Sequence, residues 1–498
     1  MNLLKWIAKP YAWHVVKKTQ AMHQNANDLQ NNLLFSLLQQ AKDTDIGVEF
    51  GFKKIDTIQA YKAQLPLIEY EDIEAYMNRI KAREKNILWP GLPLYLSKTS
   101  GTTSGVKYIP ITAQSIRHHI RAARNSLLYY INRNNNSDFI NGKMIFLQGS
   151  PRLETINGIE TGRLSGIVYH HVPAYLHKNR MPAYETNCID NWEDKVARIA
   201  AETLNENMTL ISGIPPWLIM YFEKLIQLSG KKTVKEIFPN LQLMVYGGVN
   251  YQPYQKQIDA LIGEKIFCIE TYPASEGFIA FSDLDTEKGL LLNLDAGIYY
   301  EFIEADKSIS ANTETLSIAE VELHKNYSIV ITSDAGLWRY LIGDTIRFVS
   351  LNPYRMVITG RTKQFLSAFG EHVITEEVEN AIQKVCYDLN STVAAFTVAP
   401  NFGDESGLPF HEWFIEFEKL PDNRELFAKK LDIEMQNRNI YYKDLVQGKV
   451  LQPLRINFLP KKTFYDFYNR IGKLGGQNKV LRLSNNRDYV EQLIRATI

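Results

Sequence analysis

Cysteine is scarce in this chain: Cys188, Cys268 and Cys386 are the only three in 498 residues. They are far apart and odd in number, which excludes a disulfide framework and a cysteine-built zinc site, and a reducing cytoplasm is the expected compartment. An excess of one charge is also missing. Lys and Arg number 56 against 55 Asp and Glu, a net charge of +1, so no nucleic-acid footprint is expected. No run of about 18 apolar residues occurs, so no membrane span is expected. The segment Met1-Asn2-Leu3-Leu4-Lys5-Trp6 lacks the apolar stretch of a secretory signal. There is no internal repeat and no low-complexity tract. With 45% hydrophobic and 22% charged residues the composition is that of a globular protein, and the length predicts two domains.

What is present in unusual density is hydroxyl and glycine. Residues Thr99 to Lys107 read T-S-G-T-T-S-G-V-K. Gly101 and Gly105 let backbone N–H groups converge on one concavity, Thr99, Ser100, Thr102 and Thr103 add short donors, and Lys107 adds a positive charge. This is the chemistry of a loop that grips a polyphosphate. It is not a Walker A loop, which needs four residues between its glycines, then Lys and Ser or Thr, then a helix. Here Val106 precedes the lysine and the strand-like Tyr108-Ile109-Pro110-Ile111 follows. A hydroxyl-rich surface loop without a ligand is the plain alternative.

Residues 12–90 carry helical periodicity, with Leu29, Leu33, Leu34, Leu37 and Leu38 on one stripe. Thr112 is a candidate helix cap, with Ile116, Ile120, Ala123 and Leu127 on one face behind it. Short apolar runs then alternate with helical patterns: Met144 to Leu147, Met208 to Ile211, Leu241 to Tyr246 and Ile266 to Ile269. Such alternation predicts an α/β fold. Between Leu290 and Phe348 the texture becomes antiparallel, with strands expected at Tyr299 to Ile303, Ala319 to His324 and Tyr327 to Thr332. A smaller unit of mixed strands and helices begins past Arg361.

Four further stretches carry chemistry. Tyr246-Gly247-Gly248 ends a strand in two glycines, where a flat ring can lie on the backbone. Tyr272-Pro273-Ala274-Ser275-Glu276-Gly277 follows another strand, and in open α/β sheets ligands sit at such carboxyl ends. Ser275 is placed to donate to a phosphate. Glu276 is the acid placed to hold Mg²⁺, which takes few protein carboxylates and keeps phosphate and water ligands. Arg339-Tyr340-Leu341-Ile342-Gly343-Asp344 puts an aspartate at a strand end, suited to ribose hydroxyls. Gly360-Arg361-Thr362 reads as a hinge carrying a cation. Each of these, alone, is also compatible with an ordinary turn or linker.

In this order the segments resemble the adenylate-forming superfamily of acyl-CoA synthetases, luciferases and peptide-synthetase adenylation domains. More narrowly, Asn86-Ile87-Leu88-Trp89-Pro90, the Thr99–Thr112 segment, Gly336-Leu337-Trp338-Arg339-Tyr340 and Gly475-Gly476-Gln477-Asn478-Lys479-Val480-Leu481-Arg482 resemble the auxin-responsive Gretchen-Hagen type acyl acid–amido synthetases. The resemblance spans nearly the whole chain. It implies a large N-terminal adenylate-forming domain, 1–360, with mixed sheets and a β-rich portion, and a smaller, mobile α+β C-terminal domain, 361–498. It further implies that Ser100, Thr102, Thr103 and Lys107 hold ATP phosphates. Tyr246, Gly247 and Gly248 would border the adenine, and Tyr272 the nucleotide or acyl pocket. Ser275 would touch the α-phosphate, Glu276 the Mg²⁺, and Asp344 and Arg361 the ribose. Lys479 would enter the site during adenylation. The chain departs from the superfamily at Leu341, where an arginine is common, at Pro273-Ala274, and at Val480 after the C-terminal lysine.

The implied reaction joins a small carboxylic acid to an amine, such as an amino acid, through an acyl-adenylate, with no nucleic acid, membrane or obligate protein partner. An acyl-CoA ligase and a non-catalytic nucleotide-binding protein are the alternatives. No histidine need be a metal ligand; His118-His119 and His170-His171 read as packed or helix-surface residues.

Overall fold

Alternation along short apolar strands builds the main sheet. In β3 (Lys143–Phe146), β7 (Met208–Ser212) and β8 (Leu243–Gly247), residues Met144, Leu210 and Leu243 pack on Ala12, Val15, Leu128 and Ile131. These four belong to helices Leu3–Gln24 and Ala113–Asn134. The alternate residues Ile145, Ile211 and Met244 pack on Val196, Leu218 and Ile258 of helices Trp192–Thr203, Pro215–Ser229 and Gln252–Ile262. Both faces are therefore covered, as parallel strands require.

The computed structural model describes residues 3–497 except 101–105, 190–191, 249–250, 285–287, 308, 362–364, 367, 370, 372, 404–407, 448–450, 472–479 and 485–486. The chain divides into two compact units, Met1–Ile342 with Arg347–Val357, and Gly343–Ile346 with Ile358–Ile498.

In the first unit β1 (Tyr95–Ser100) and β2 (Val106–Ile111) form a hairpin. The hairpin extends through β5 (Ile159–Gly162), parallel to β1, and β4 (Glu154–Ile156) into a four-stranded sheet. The main sheet is 11-stranded. Its parallel part runs β6 (Arg180–Met181), β3, β7, β8, β9 (Phe267–Ala274). Its second part is largely antiparallel: β10 (Gly277–Phe281), β11 (Leu290–Leu292), β15 (Tyr354–Arg361), β14 (Leu337–Leu351), β13 (Asn326–Ser333) and β12 (Ile298–Glu304). Strands β14 and β15 carry the chain between the units. The second unit contains a two-stranded pair, β16 (Phe365–Leu366) with β17 (Val373–Ile374), and a three-stranded sheet of β18 (Thr392–Asn401), β19 (Phe410–Lys419) and β20 (Arg455–Leu459). Phe396, Trp413 and Ile415 of that sheet pack on helices Thr375–Asp388 and Arg424–Arg438. The architecture is the expected α/β fold with a smaller α+β unit.

Three expectations are corrected. Ala319–His324 is a turn, not a strand: Glu320 accepts from Ser317 N at 2.7 Å, its own N–H returns to Ser317 O at 3.1 Å, and His324 has φ 66°. On helix Ala113–Asn134 the buried face runs through Ser115, Ile116, His119, Ala122 and Ser126, leaving Ala123 exposed. Asp344 lies within β14, not at a strand end. Thr112 does cap its helix, accepting from Ser115 N at 3.0 Å. No helix among the described residues is long and apolar enough to cross a membrane.

Candidate active site

The hydroxyl-rich loop connects two paired strands. Thr99 lies opposite Lys107, and Ser97 opposite Ile109. Thr102, Thr103 and Lys479 lie outside the described residues, as do the side chains of Ser100 and Arg361. Ser97, with 0% exposure, meets Ser275 oxygen to oxygen at 2.9 Å. The hairpin is thereby joined to the end of β9, 178 residues further along the chain.

Ser275 and Glu276 form the tight turn between β9 and β10, where Ala274 pairs with Gly277. Gly277 packs closely there: a Cβ would stand 2.4 Å from Ile298 Cδ1, so that side chain would have to shift. Beside this turn, Gly247 pairs with Thr271. A Cβ on Gly247 would lie 2.2 Å from the Thr271 carbonyl oxygen, and Gly248 takes φ 82°. The two glycines keep the end of β8 thin enough for a ring to lie on it. Tyr246 sends its ring into the core, stacked on Tyr251 at 4.1 Å, and Tyr272 is buried one strand away.

The start of helix Tyr70–Lys81 closes the far side of the hairpin. The Tyr70 hydroxyl accepts from Tyr108 N at 2.9 Å. Lys107 Nζ stands 5.1 Å from the Tyr70 ring centre and 3.5 Å from Glu71 Oε1. Burial raises the Tyr340 phenol far above its ordinary range, and the nearby charges of Glu276 and Glu71 raise it further. Glu276, Tyr340, Tyr70, Glu71 and Lys107 thus form one electrostatic group. Ile68 N donates to Arg339 O at 3.0 Å and Leu341 N to Ile68 O at 2.9 Å, which ties the segment before the helix to the strand carrying Tyr340.

The Glu276 carboxylate is a hard oxygen ligand of the kind Mg²⁺ takes. Among the described residues no group of three or more His, Cys, Asp and Glu side chains converges. One carboxylate completed by phosphate oxygens fits this setting, and a site built wholly from protein ligands does not.

Asp344 and Gly360 belong to the second unit, and Asp344 is buried. His118 and His119 are engaged within the protein itself. Burial pushes His119 down to about 4. Arg121 donates to His118 Nδ1 at 2.6 Å, so His118 Nε2 donates to Asp334 Oδ2 at 3.0 Å.

Sequence reasoning missed Tyr70, Glu71 and Glu270. Glu270 sits opposite Tyr246 on β9, and burial pushes its carboxyl up to about 7. A charged residue inside an apolar strand just before Thr271-Tyr272 was the available signal. Tyr70 and Glu71 open an ordinary amphipathic helix, and nothing local distinguishes them.

Known proteins are similar to this chain in sequence and fold. The jasmonoyl–L-amino acid synthetase GH3.5 of Oryza sativa subsp. japonica is 24% identical over 544 residues, covering 93% of this chain and 92% of that protein. The indole-3-acetic acid-amido synthetase GH3.3 of Arabidopsis thaliana is 20% identical, covering 89% and 87%. In three dimensions the AtGH3.15 acyl acid amido synthetase, solved with 2,4-DB, superposes with TM-score 0.80 at 17% identity, covering 98% of this chain and 96% of that one. A 2-hydroxyisobutyryl-CoA ligase in its postadenylation state shares the fold at TM-score 0.59 and 11% identity, covering 95% and 92%. The GH3 family N-terminal domain matches residues 15–188 and 178–267, the central domain 291–361 and the C-terminal domain 376–488, so the chain belongs to the GH3 family.

Proposed function

We propose that the chain is an ATP-dependent acyl acid–amido synthetase. A carboxylate attacks the α-phosphorus of ATP to give an acyl-adenylate and pyrophosphate. The amine of an amino acid then attacks the acyl carbon and releases AMP. The observation that carries this reading is the Ser97–Ser275 contact, which joins a hydroxyl-rich phosphate hairpin to the Ser-Glu turn beside a Gly-Gly strand end.

In the first step negative charge grows at the α-phosphorus. Ser275, Lys107 and the hydroxyls of the 99–107 segment would meet it with donors and one cation; removing one preorganised donor typically costs about 10²–10³ in rate. Glu71, 3.5 Å from Lys107, holds that ammonium near the hairpin until phosphate competes for it. Glu276 would hold Mg²⁺, which supplies charge neutralisation on the phosphates. Asp344 and Arg361 would take the ribose, and Lys479 would assist adenylation. The amine step needs no covalent nucleophile, consistent with the free Cys188, Cys268 and Cys386 of a cytoplasmic protein.

Acid-dependent exchange of labelled pyrophosphate into ATP, run across a panel of carboxylic acids, tests the reading. At least one acid should support exchange that requires Mg²⁺. Exchange with none of them would remove the adenylation step and the proposal with it.

A further inference from the structure

Arg163 follows β5 by one residue, immediately after the Gly162 that pairs with Ser97. Adjacent strands lie about 4.8 Å apart and successive Cα atoms about 3.8 Å, so its backbone stands within about 10 Å of the Ser97–Ser275 contact. Its Cδ approaches to 3.3 Å from the point a Cβ would occupy on Gly149, and Ser165 Oγ lies 3.9 Å from that point. Gly149 sits in the turn after β3, on the side of the sheet where β7, β8 and β9 also end. A glycine at 149 leaves the space the arginine stem fills.

The guanidinium is half-buried, and among the described residues it makes no hydrogen bond or ion pair. Burial alone holds it below the usual arginine range, with no neighbouring charge offsetting the loss of water. Ser165 Oγ is buried and unpartnered. A second cation underlies the same turn: Lys195 Nζ, buried, donates to Gln148 O at 2.9 Å and Asn187 O at 2.6 Å. A partly desolvated arginine beside an orphan hydroxyl is unfavourable until an oxyanion arrives.

Three kinds of anion take part in the proposed reaction. The phosphates have the 99–107 loop, Lys107 and Ser275. The reacting acid loses its charge when it becomes an anhydride with AMP. The carboxylate of the amino acid remains charged throughout and has no cation assigned to it. Guanidinium matches a carboxylate through two parallel N–H donors. We infer that Arg163, with Ser165, binds the α-carboxylate of the amino acid acceptor. The inference rests on the amido-synthetase reading and adds the group that selects an amino acid over a simple amine.

The test uses the full chain, an acid that supports exchange, and a panel of L-amino acids each paired with its carboxamide. Arg163→Met should raise KM for the amino acids by about tenfold or more, the typical worth of a charge-assisted hydrogen bond. It should also erase the preference of the wild type for amino acid over carboxamide, with the loss concentrated in the amine step relative to exchange. Arg163→Lys should recover part of the preference, and it decides the matter if Arg163→Met does not fold. An unchanged preference in a folded variant would overturn the assignment. So would a raised KM for pyrophosphate with an unchanged amino acid KM, which would give the cation to phosphate. A wild type that supports exchange but forms no amide with any pair would instead refute the amido-synthetase reading itself.

Discussion

Replacing Arg339 by methionine should destabilise the first unit by about 3–5 kcal/mol, the cost of breaking one side of a buried ion pair. Arg339 and Glu301 are 3% and 0% exposed. The guanidinium has five N–H donors, and all are used. Nε meets Glu301 Oε2 at 3.2 Å, and Nη1 meets Lys62 O at 2.9 Å and Leu65 O at 2.6 Å. Nη2 meets Thr315 Oγ1 at 3.1 Å and Glu301 Oε1 at 3.1 Å. The residue itself takes φ 45°, a conformation L-residues rarely adopt. Methionine fills similar space but leaves Glu301 charged and the carbonyls of Lys62 and Leu65 short of donors. Equilibrium urea denaturation read by tryptophan fluorescence measures the loss, since Trp338 is the adjacent residue. The double variant Arg339→Met with Glu301→Leu should recover about 1–4 kcal/mol of it, because no uncompensated charge then remains. A loss under about 1 kcal/mol, the range of an exposed pair, would refute the reasoning.

Gly247→Ala places a Cβ 2.2 Å from the Thr271 carbonyl, so β8 and β9 must part at this end. Its KM for ATP in exchange should rise about tenfold, and stability should fall by about 1–3 kcal/mol. If Ser275 meets the α-phosphate as proposed, Ser275→Ala should cut exchange about 10²–10³-fold, while Ser97→Ala, which reaches it only through Ser275, should cost less; equal losses would make the pair purely structural. Glu270→Gln tests the buried carboxyl. Its pKa is raised in the fold to about 7, so the folded chain binds the proton more tightly than the unfolded one. The penalty is absent below about pH 4, grows as pH rises toward 7 and is constant above, reaching at most about 3 kcal/mol. The variant should therefore be more stable than wild type at pH 8 and equal to it at pH 4, by denaturation at both.

The parts of the site that sequence patterns reveal are the local ones. The strands flanking the hydroxyl-rich segment, the Gly-Gly strand end and the Ser-Glu turn each depend on neighbours a few residues away. Arg339 was visible as a letter in a motif, but its partners at Lys62, Leu65, Glu301 and Thr315 meet only in the folded unit. The buried face of helix Ala113–Asn134 escapes an apolar pattern because His119 and Ser126, both polar, lie on it. Asp344 looked terminal because Gly343 precedes it, yet Gly343 takes φ 83° within β14, which runs for 15 residues. Arg163 carries no local signal at all: its isolation is a property of what surrounds it.

The most direct test of the proposed activity is mass spectrometry of the products formed from ATP, Mg²⁺ and an acid that supports exchange, with an amino acid and CoA offered together. The acyl–amino acid amide and AMP should accumulate in equal amounts. Acyl-CoA as the product, with no amide, would contradict the assignment and make the chain a thioester-forming ligase.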